Sequence, residues 1–222
     1  MKKYLLPIII FISFKSIGQN TDYKKVQEEF INEFAIKGCD CFSGVTVNNN
    51  DKLGECFSEI EKEFKAKYDS QFEKLEEEGK IDLADDLIFS IQKPMIENCS
   101  AYSNYFKEIR NLTIERFYQS EDQNKLDSLN QISNRDANYF FARGKLNFAA
   151  KNYEKAISDL KNALQMNSQT EFQNYMLLAW IYYAKGDLNG SIKVYEEFLK
   201  NNKSPELKAY LEITKNEISK EE

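Results

Sequence analysis

Four cysteines carry most of the chemistry that this sequence could perform. Cys39, Cys41, Cys56 and Cys99 are all of the cysteines, and they lie in the first half of the chain. An even number of cysteines in an exported protein, as argued below, indicates two disulfides. A Cys39–Cys41 bond would close a very small, strained ring, so we discount it. The two remaining pairings both join the segment 39–41 to Cys56 and Cys99, and the sequence leaves both open.

The closely spaced pair, Cys39 and Cys41, has two other interpretations. With the further cysteines it could form a thiolate metal site, although zinc-thiolate sites normally use two closely spaced pairs and only one is present. It could also be redox active, because thiol reactivity depends on how the surroundings stabilise the thiolate. We adopt structural disulfides, and thiol-redox chemistry or metal handling through this pair is the alternative.

Charge and composition argue against several classes of function. The 222 residues include 30 basic, 36 acidic and no histidine residues, for a net charge of −6. Without histidine the chain lacks the usual general base near neutral pH and a common zinc ligand. An acidic protein also offers no basic face to nucleic acid. No nucleophile elbow, phosphate loop or metal-ligand cluster occurs. We therefore expect a protein without enzymatic activity, metal or cofactor.

Residues 1–18 have the pattern of a cleavable signal peptide. Two lysines precede an apolar run, and the small residues Ser16 and Gly18 stand just before a cut ahead of Gln19. A membrane-spanning helix needs about 20 apolar residues, and this run is about half as long. Removal of the segment leaves 27 basic and 36 acidic residues, a net charge of −9. We expect a periplasmic or secreted protein with no membrane span in the mature chain.

Helical patterns surround the cysteines. Apolar residues follow a helical period ahead of Gly38, which we expect to end a first helix. A long amphipathic helix is predicted over residues 52–78, with Glu and Lys on its exposed face. A third helix, capped by Asp82, should end or restart at Pro94. Cys99 would then lie one turn into the next helix.

The second half of the chain contains an internal repeat. Residues 139–164 and 174–199 align with a constant offset of 35, which places Gly144 on Ala179. Each segment reads as a helix, a short turn and a second helix. Small residues stand where the two helices of a hairpin must approach each other closely.

The repeated segment is similar to the tetratricopeptide repeat. Both units carry the small and aromatic positions of that pattern, and the second has Gly-Asp at its turn. Phe198 stands where the pattern has alanine, and Ser168 where it has proline. The matching residues are Phe140, Gly144, Phe148, Tyr153, Ala156 and Ala163 in the first unit, and Tyr175, Ala179, Tyr182, Tyr183, Gly186, Asp187 and Tyr195 in the second.

The resemblance implies an all-α fold. An N-terminal helical module would be followed by a right-handed solenoid of helix hairpins and a C-terminal capping helix. Helical segments within residues 102–133 leave open a third, degenerate unit. The boundaries are 1–18 for the signal peptide, 19–117 for the module with its two disulfides, 118–204 for the repeats, with units at 136–169 and 171–204, and 205–222 for the capping helix.

Such solenoids present a concave face built from the first helix of each unit, and the family uses this groove to hold peptides or protein segments. The resemblance therefore implies a protein or peptide partner. The aromatic groove residues could instead pack against the cysteine module or the capping helix. By position, the groove residues are Asn138, Phe141, Lys145, Phe148, Gln173, Met176, Trp180 and Tyr183.

The alignment also predicts one ion pair. Arg143 aligns with Leu178, and Asp159 aligns with Val194. Within each unit the two residues should face each other across the hairpin. We therefore predict an Arg143–Asp159 ion pair where the second unit has an apolar contact.

The cysteine-containing half resembles a helical module found in exported bacterial proteins that carry tetratricopeptide repeats further along the chain. The resemblance covers residues 23–110. It rests on the Cys-Asp-Cys segment, on Cys56 early in a long helix, and on the segment 94–99. It implies no function of its own. Together these features predict a non-enzymatic, exported scaffold or adaptor that binds another protein through its repeats.

Overall fold

The computed structural model of the chain describes residues 21–77, 84–120, 123–166 and 171–219. Every regular element in these residues is a helix, beside an isolated β-bridge between Thr46 and Asn49. The all-α prediction is therefore confirmed. The predicted signal peptide, the cap at Asp82 and the departure at Ser168 lie outside the described residues. The chain divides into two compact units, Met1–Glu108 and Ile109–Glu222.

The helices follow one another with short connections. In chain order they are α1 (Thr21–Phe42), α2 (Asp51–Glu77), α3 (Ala84–Asn98), α4 (Ser100–Gln119), α5 (Gln123–Asn130), α6 (Ala137–Ala149), α7 (Tyr153–Gln165), α8 (Glu171–Ala184), α9 (Leu188–Leu199) and α10 (Pro205–Ile218).

Two disulfides organise the first unit around the C-terminal end of α1. Cys39 bonds to Cys99 and Cys41 bonds to Cys56, with the Cα atoms 5.7 Å apart in each pair. These bonds close loops of 60 and 15 residues. In the chain-entropy description, loops of these lengths stabilise a fold by about 4 and about 3 kcal/mol. Of the two pairings that the sequence leaves open, the structure has this one.

Aromatic rings fill the core between α1 and α2. Phe64 and Tyr68 belong to the apolar stripe predicted for the long amphipathic helix. Both rings pack edge-on against Phe30 of α1, with ring centres 5.2 Å apart. The burial of this stripe, with the charged face left to solvent, is what positions α2 beside α1.

Gly38 does not end α1, so the sequence prediction at this residue is wrong. The helix continues to Phe42, and its last turns therefore carry the two neighbouring cysteines. Gly38 is buried, and a Cβ atom there would stand 3.1 Å from the Cε atom of Met95 in α3. The glycine thus allows α1 and α3 to approach closely, and it does not act as a helix terminator.

The predicted break at Pro94 is also wrong. Pro94 lies inside α3, which ends at Asn98. Cys99 stands between α3 and α4. Its N–H donates to the Met95 carbonyl at 2.9 Å, and its carbonyl accepts from the Ser103 N–H at 3.2 Å. Helical hydrogen bonds therefore continue through the junction, and Cys99 precedes α4 instead of lying one turn inside it.

Successive helices of the second unit, from α5 to α10, each pack on the next one along the chain. This succession is a helical solenoid. Close packing within the first hairpin depends on Gly144, because a Cβ atom there would meet Leu160 Cδ2 at 3.0 Å. Ala179 takes the same position in the second hairpin and is fully buried. The small residues of the repeat therefore stand where α6 meets α7 and where α8 meets α9.

The last helix closes the end of the solenoid. Ser204 caps α10, since its hydroxyl accepts the Leu207 N–H at 3.2 Å. Pro205 opens the helix, where its missing N–H costs nothing. Leu207 and Ile213 of α10 are buried, and α10 packs on α9. The apolar side of α10 therefore covers the last repeat.

Candidate functional site

The predicted groove residues lie on α6 and α8, the first helices of the two hairpins. We call the surface that carries them the first-helix face. Asp136 fixes the start of α6, because its carboxylate accepts the Tyr139 N–H at 2.8 Å. Asp187 caps α9 in the same way, through the Gly190 N–H at 2.7 Å. The Asp136 cap fixes α6, which carries part of the face, and the Asp187 cap fixes α9, which packs on α8.

Besides Tyr183, which is partly exposed, five of the predicted groove residues are accessible. Asn138 and Gln173 are exposed, and Phe141, Lys145 and Met176 are partly exposed. The Lys145 ammonium lies 4.7 Å from the centre of the Phe141 ring. We call these five residues the open strip. It combines two amides, a thioether, an aromatic ring and a single cation.

Phe148 does not line a groove, which corrects its predicted role. Its side chain is 0% exposed. Its ring centre lies 5.4 Å from Phe117 and 5.5 Å from Tyr118, both on α4. Phe148 is therefore a core residue that α4 covers.

Trp180 is also covered, by the capping helix. Its side chain is 7% exposed, and its ring meets Tyr210 of α10 edge-on at 5.8 Å. The buried indole Nε1 finds no hydrogen-bond acceptor among the described residues. The sequence left open that the aromatic groove residues pack against the capping helix, and Trp180 does so.

Tyr183 lies under an arginine that the sequence analysis did not single out. Arg110 of α4 is fully buried, and its guanidinium carbon stands 3.4 Å from the centre of the Tyr183 ring. Burial raises the pKa of the Tyr183 hydroxyl, while the positive charge of Arg110 opposes this shift. Tyr183 therefore contacts the chain's own helix at the position predicted for a partner.

Arg110 joins α4 to α10. Its Nη2 donates to both carboxylate oxygens of Glu217 at 3.0 Å, and its Nη1 donates to the Thr214 hydroxyl at 3.3 Å. One sequence signal could have identified Arg110. It shares a helical stripe with Ile114 and Phe117, which are four and seven residues further on, so that a charge stands in an apolar stripe.

Residues 109–119 of α4 therefore cross the first-helix face. Arg110 contacts α8 and α10, whereas Phe117 and Tyr118 contact α6. Seven residues of helix span about 10 Å, which matches the 8–10 Å or so between packed neighbouring helices. One end of the face is thus occupied by α4, whereas the residues of the open strip stay accessible.

The sequence model of the tetratricopeptide repeat matches residues 137–170 and 172–205. These segments contain the α6–α7 and α8–α9 hairpins, each with its small residue at the helix contact. The chain contains two tetratricopeptide repeats. No curated protein and no solved structure matches the chain. The repeats indicate a role in protein–protein interaction.

Within the first tetratricopeptide repeat, Arg143 and Asp159 come together across the hairpin. The buried Asp159 carboxylate accepts from Arg143 Nε at 2.9 Å and from Arg143 Nη2, and it also accepts from Asn147 Nδ2 at 2.9 Å. In the second tetratricopeptide repeat the corresponding Leu178 and Val194 are buried. The same two positions are therefore an ion pair in one repeat and buried apolar residues in the other.

A shallow groove of about 470 Å³ lies between α7, α8 and α9, away from the predicted groove residues. Lysines and carboxylates line it in equal numbers, Lys161 and Lys193 against Asp187 and Glu197. Such a lining favours neither anions nor cations. The open strip on the tetratricopeptide first helices is thus the better candidate site.

The cysteines offer no free thiol, because all four are in disulfides. In the part of the chain that the structure describes, no cluster of three or more Cys, Asp or Glu side chains could hold a metal ion. No helix there is long and apolar enough to cross a membrane. The disulfides do not favour the redox or metal-handling alternative for Cys39 and Cys41.

Proposed function

We propose that the protein is a non-enzymatic adaptor that holds a segment of another protein on the open strip. The observation that carries this proposal is the accessibility of Asn138, Phe141, Lys145, Gln173 and Met176 on the first helices of two tetratricopeptide repeats. Of the other three predicted groove residues, Phe148 and Trp180 are buried, and Tyr183 is stacked under Arg110. A partner therefore finds the most accessible predicted groove residues along this strip.

The chemistry of the open strip suits an extended segment with both apolar and polar groups. Phe141 supplies an aromatic contact, and Met176 adapts its shape to irregular surfaces. Asn138 and Gln173 can each donate to and accept from a peptide backbone. Lys145 is the single cation, which favours a partner carrying a carboxylate beside its apolar group.

The proposal includes export to the periplasm or the cell exterior. Two features support it: the signal-peptide pattern of residues 1–18 and the paired cysteines. Disulfides persist in oxidising compartments and are rare in the cytosol. An acidic mature chain also fits a soluble protein that avoids anionic lipid surfaces.

Photo-crosslinking in the native host tests the adaptor function. A photoreactive amino acid is placed at Gln173 of the open strip or, as the control, at Ser158 of α7, which is also exposed. We expect one discrete covalent adduct at Gln173 and none at Ser158. Met176→Glu should abolish the adduct, because it puts a charge at the apolar centre of the strip.

Two results would sink this proposal. One is equal adduct formation at Gln173 and Ser158, which would mean that the contact is unspecific. The other is no adduct at either Gln173 or Asn138, the two exposed residues of the open strip. A circular dichroism spectrum of each variant shows that the helices are intact in both cases.

A further inference from the structure

Three side chains form a binding pocket for a planar cation at the end of the first-helix face that α4 occupies. Tyr183 offers its ring face at 3.4 Å, Glu217 offers both carboxylate oxygens at 3.0 Å, and Thr214 offers its hydroxyl at 3.3 Å. These groups match a guanidinium, which stacks on aromatic rings and binds carboxylates through several N–H groups. We call these three residues the guanidinium pocket.

The pocket selects arginine over lysine. A guanidinium is flat, so it can lie on the Tyr183 ring while its edges donate to Glu217 and Thr214. An ammonium is a compact, strongly hydrated charge that cannot stack and donate in one plane. Arg110 is the ligand seen here, and it is carried by a helix that crosses α6, α8 and α10.

We propose that the guanidinium pocket is a binding site of the repeats, that Arg110 is its resident ligand, and that a partner protein competes by supplying an arginine of its own. This proposal extends the proposed adaptor function from the open strip to the covered end of the same face. The competing segment is a helix with arginine, an aliphatic residue four positions later and an aromatic residue seven positions later. Arg110, Ile114 and Phe117 supply this pattern in α4.

The exchange of one arginine for another conserves the buried ion pair. Removing a partner from a buried pair is costly because it strands a charge, but here Glu217 keeps a guanidinium throughout. The released Arg110 returns to water. Arg110 Nε also finds no acceptor among the described residues. A competing arginine whose own Nε–H finds an acceptor would therefore gain a hydrogen bond that Arg110 lacks.

A peptide test uses the full chain with both disulfides formed. The probe is a fluorescent peptide of residues 109–119, measured by anisotropy against the wild-type chain and Arg110→Ala. The wild type holds its own arginine at high effective concentration, so that the probe must compete. We expect Arg110→Ala to bind the probe at least about tenfold more tightly than the wild type.

Matched controls identify the pocket. Arg116→Ala removes the same charge from an exposed position of the same helix, and it should bind the probe as weakly as the wild type does. A probe carrying Arg110→Lys should bind Arg110→Ala at least about tenfold more weakly than the arginine probe. Glu217→Gln added to Arg110→Ala should abolish the gain.

Equal affinities of Arg110→Ala and Arg116→Ala, or of the arginine and lysine probes, would overturn the proposal. Should Arg110→Ala fail to fold by circular dichroism, Arg110→Lys takes its place. It keeps a cation beside Glu217 but cannot stack on Tyr183, so it should still bind the probe more tightly than the wild type. No gain in that variant would overturn the proposal as well.

The outcome is separable from that of the proposed function. The peptide test uses no natural partner, whereas the photo-crosslinking test reads the open strip in the cell. A gain in peptide affinity without crosslinking at either Gln173 or Asn138 would keep the pocket and remove the adaptor function. Crosslinking without a gain in peptide affinity would do the reverse.

Discussion

Arg143 and Asp159 occupy the positions in the first repeat that Leu178 and Val194 occupy in the second. Asp159→Ala should destabilise the protein by about 3 kcal/mol, because the partly buried Arg143 guanidinium loses its charged acceptor and keeps only the Tyr139 hydroxyl. The double variant Arg143→Leu with Asp159→Val copies the second repeat. It should recover at least about half of the lost stability, because it also removes the Arg143 charge that Asp159→Ala leaves without its carboxylate.

Urea denaturation of the three proteins measures the effect as the free energy of unfolding. Full recovery is not expected, since Asn147 also donates to Asp159 and loses this acceptor in both variants. A double variant that is no more stable than Asp159→Ala would contradict the interpretation that the two repeats use equivalent contacts.

The turn between the helices of each repeat provides a second comparison. Gly186 has φ +86°, and Lys151, its counterpart 35 residues earlier, has φ +59°. Only glycine adopts this left-handed region without cost. Gly186→Ala should therefore destabilise the protein by about 1 kcal/mol. An added Cβ atom would meet nothing within 4 Å, so the loss is conformational and not steric.

The reverse change, Lys151→Gly, is the control for this prediction. It relieves the left-handed strain but loses the contact between the Lys151 ammonium and the Tyr118 ring at 4.7 Å. We expect the free energy of unfolding of Lys151→Gly to exceed that of the wild type by no more than about 1 kcal/mol. Thermal denaturation compares the variants. A Gly186→Ala protein as stable as the wild type would show that this turn can relax to another backbone conformation.

Single residues were predictable where the repeat supplied a second copy. The contact between Arg143 and Asp159 follows from the alignment with Leu178 and Val194, because a fixed offset tells which residues face each other. Arg110 and Glu217 have no such relation. They are 107 residues apart, and no periodic pattern connects them. Only the apolar stripe around Arg110 in α4 hints that this charge is buried.

At the scale of helices, α10 shields the single tryptophan of the chain. Trp180 packs on Tyr210 and is almost fully buried. A chain that ends at Lys203 lacks α10, so the indole should become exposed and its fluorescence emission should shift to longer wavelength. The stability of the second unit should also fall, because repeat arrays need a capping helix over their last apolar surface.

The control is Ser204→Ala in the full chain. It removes only the side-chain acceptor for the Leu207 N–H and should lower stability by about 1 kcal/mol without moving the emission of the folded protein. If the truncated chain kept the emission of the full chain while remaining folded, α10 would not be the element that shields Trp180.

Helices were predictable in type, and less so in their ends. The hairpins α6–α7 and α8–α9 follow from two aligned copies of one pattern. The predicted end at Gly38 and the predicted break at Pro94 are local signals that tertiary packing overrides. Gly38 is needed where Met95 approaches α1, and α3 carries Pro94 without ending. Local residue preferences cannot show such contacts between distant segments.

At the scale of the whole molecule, the repeat pattern alone could not show which groove positions are accessible. A family pattern tells which positions face it, but not which part of the same chain lies over them. Phe148 and Trp180 are buried under α4 and α10, and Tyr183 is stacked under Arg110. The contacting residues lie up to 73 positions away in the chain, as with Arg110 and Tyr183. The accessible remainder becomes visible only when both helices are in place.

Export and disulfide pairing are properties of the whole chain that one mass measurement can test. Protein isolated from its own host should begin at Gln19, and its four cysteines should react with an alkylating reagent only after reduction. Cleavage of the unreduced, denatured protein before Asp40 separates Cys39 from Cys41. The resulting peptides should join Cys39 to Cys99 and Cys41 to Cys56.

Alkylation of any cysteine without reduction would place the protein in a reducing compartment, and a chain that keeps residues 1–18 would place it on an uncleaved anchor. Either result would remove the argument that the first unit depends on its two covalent bonds in an oxidising environment.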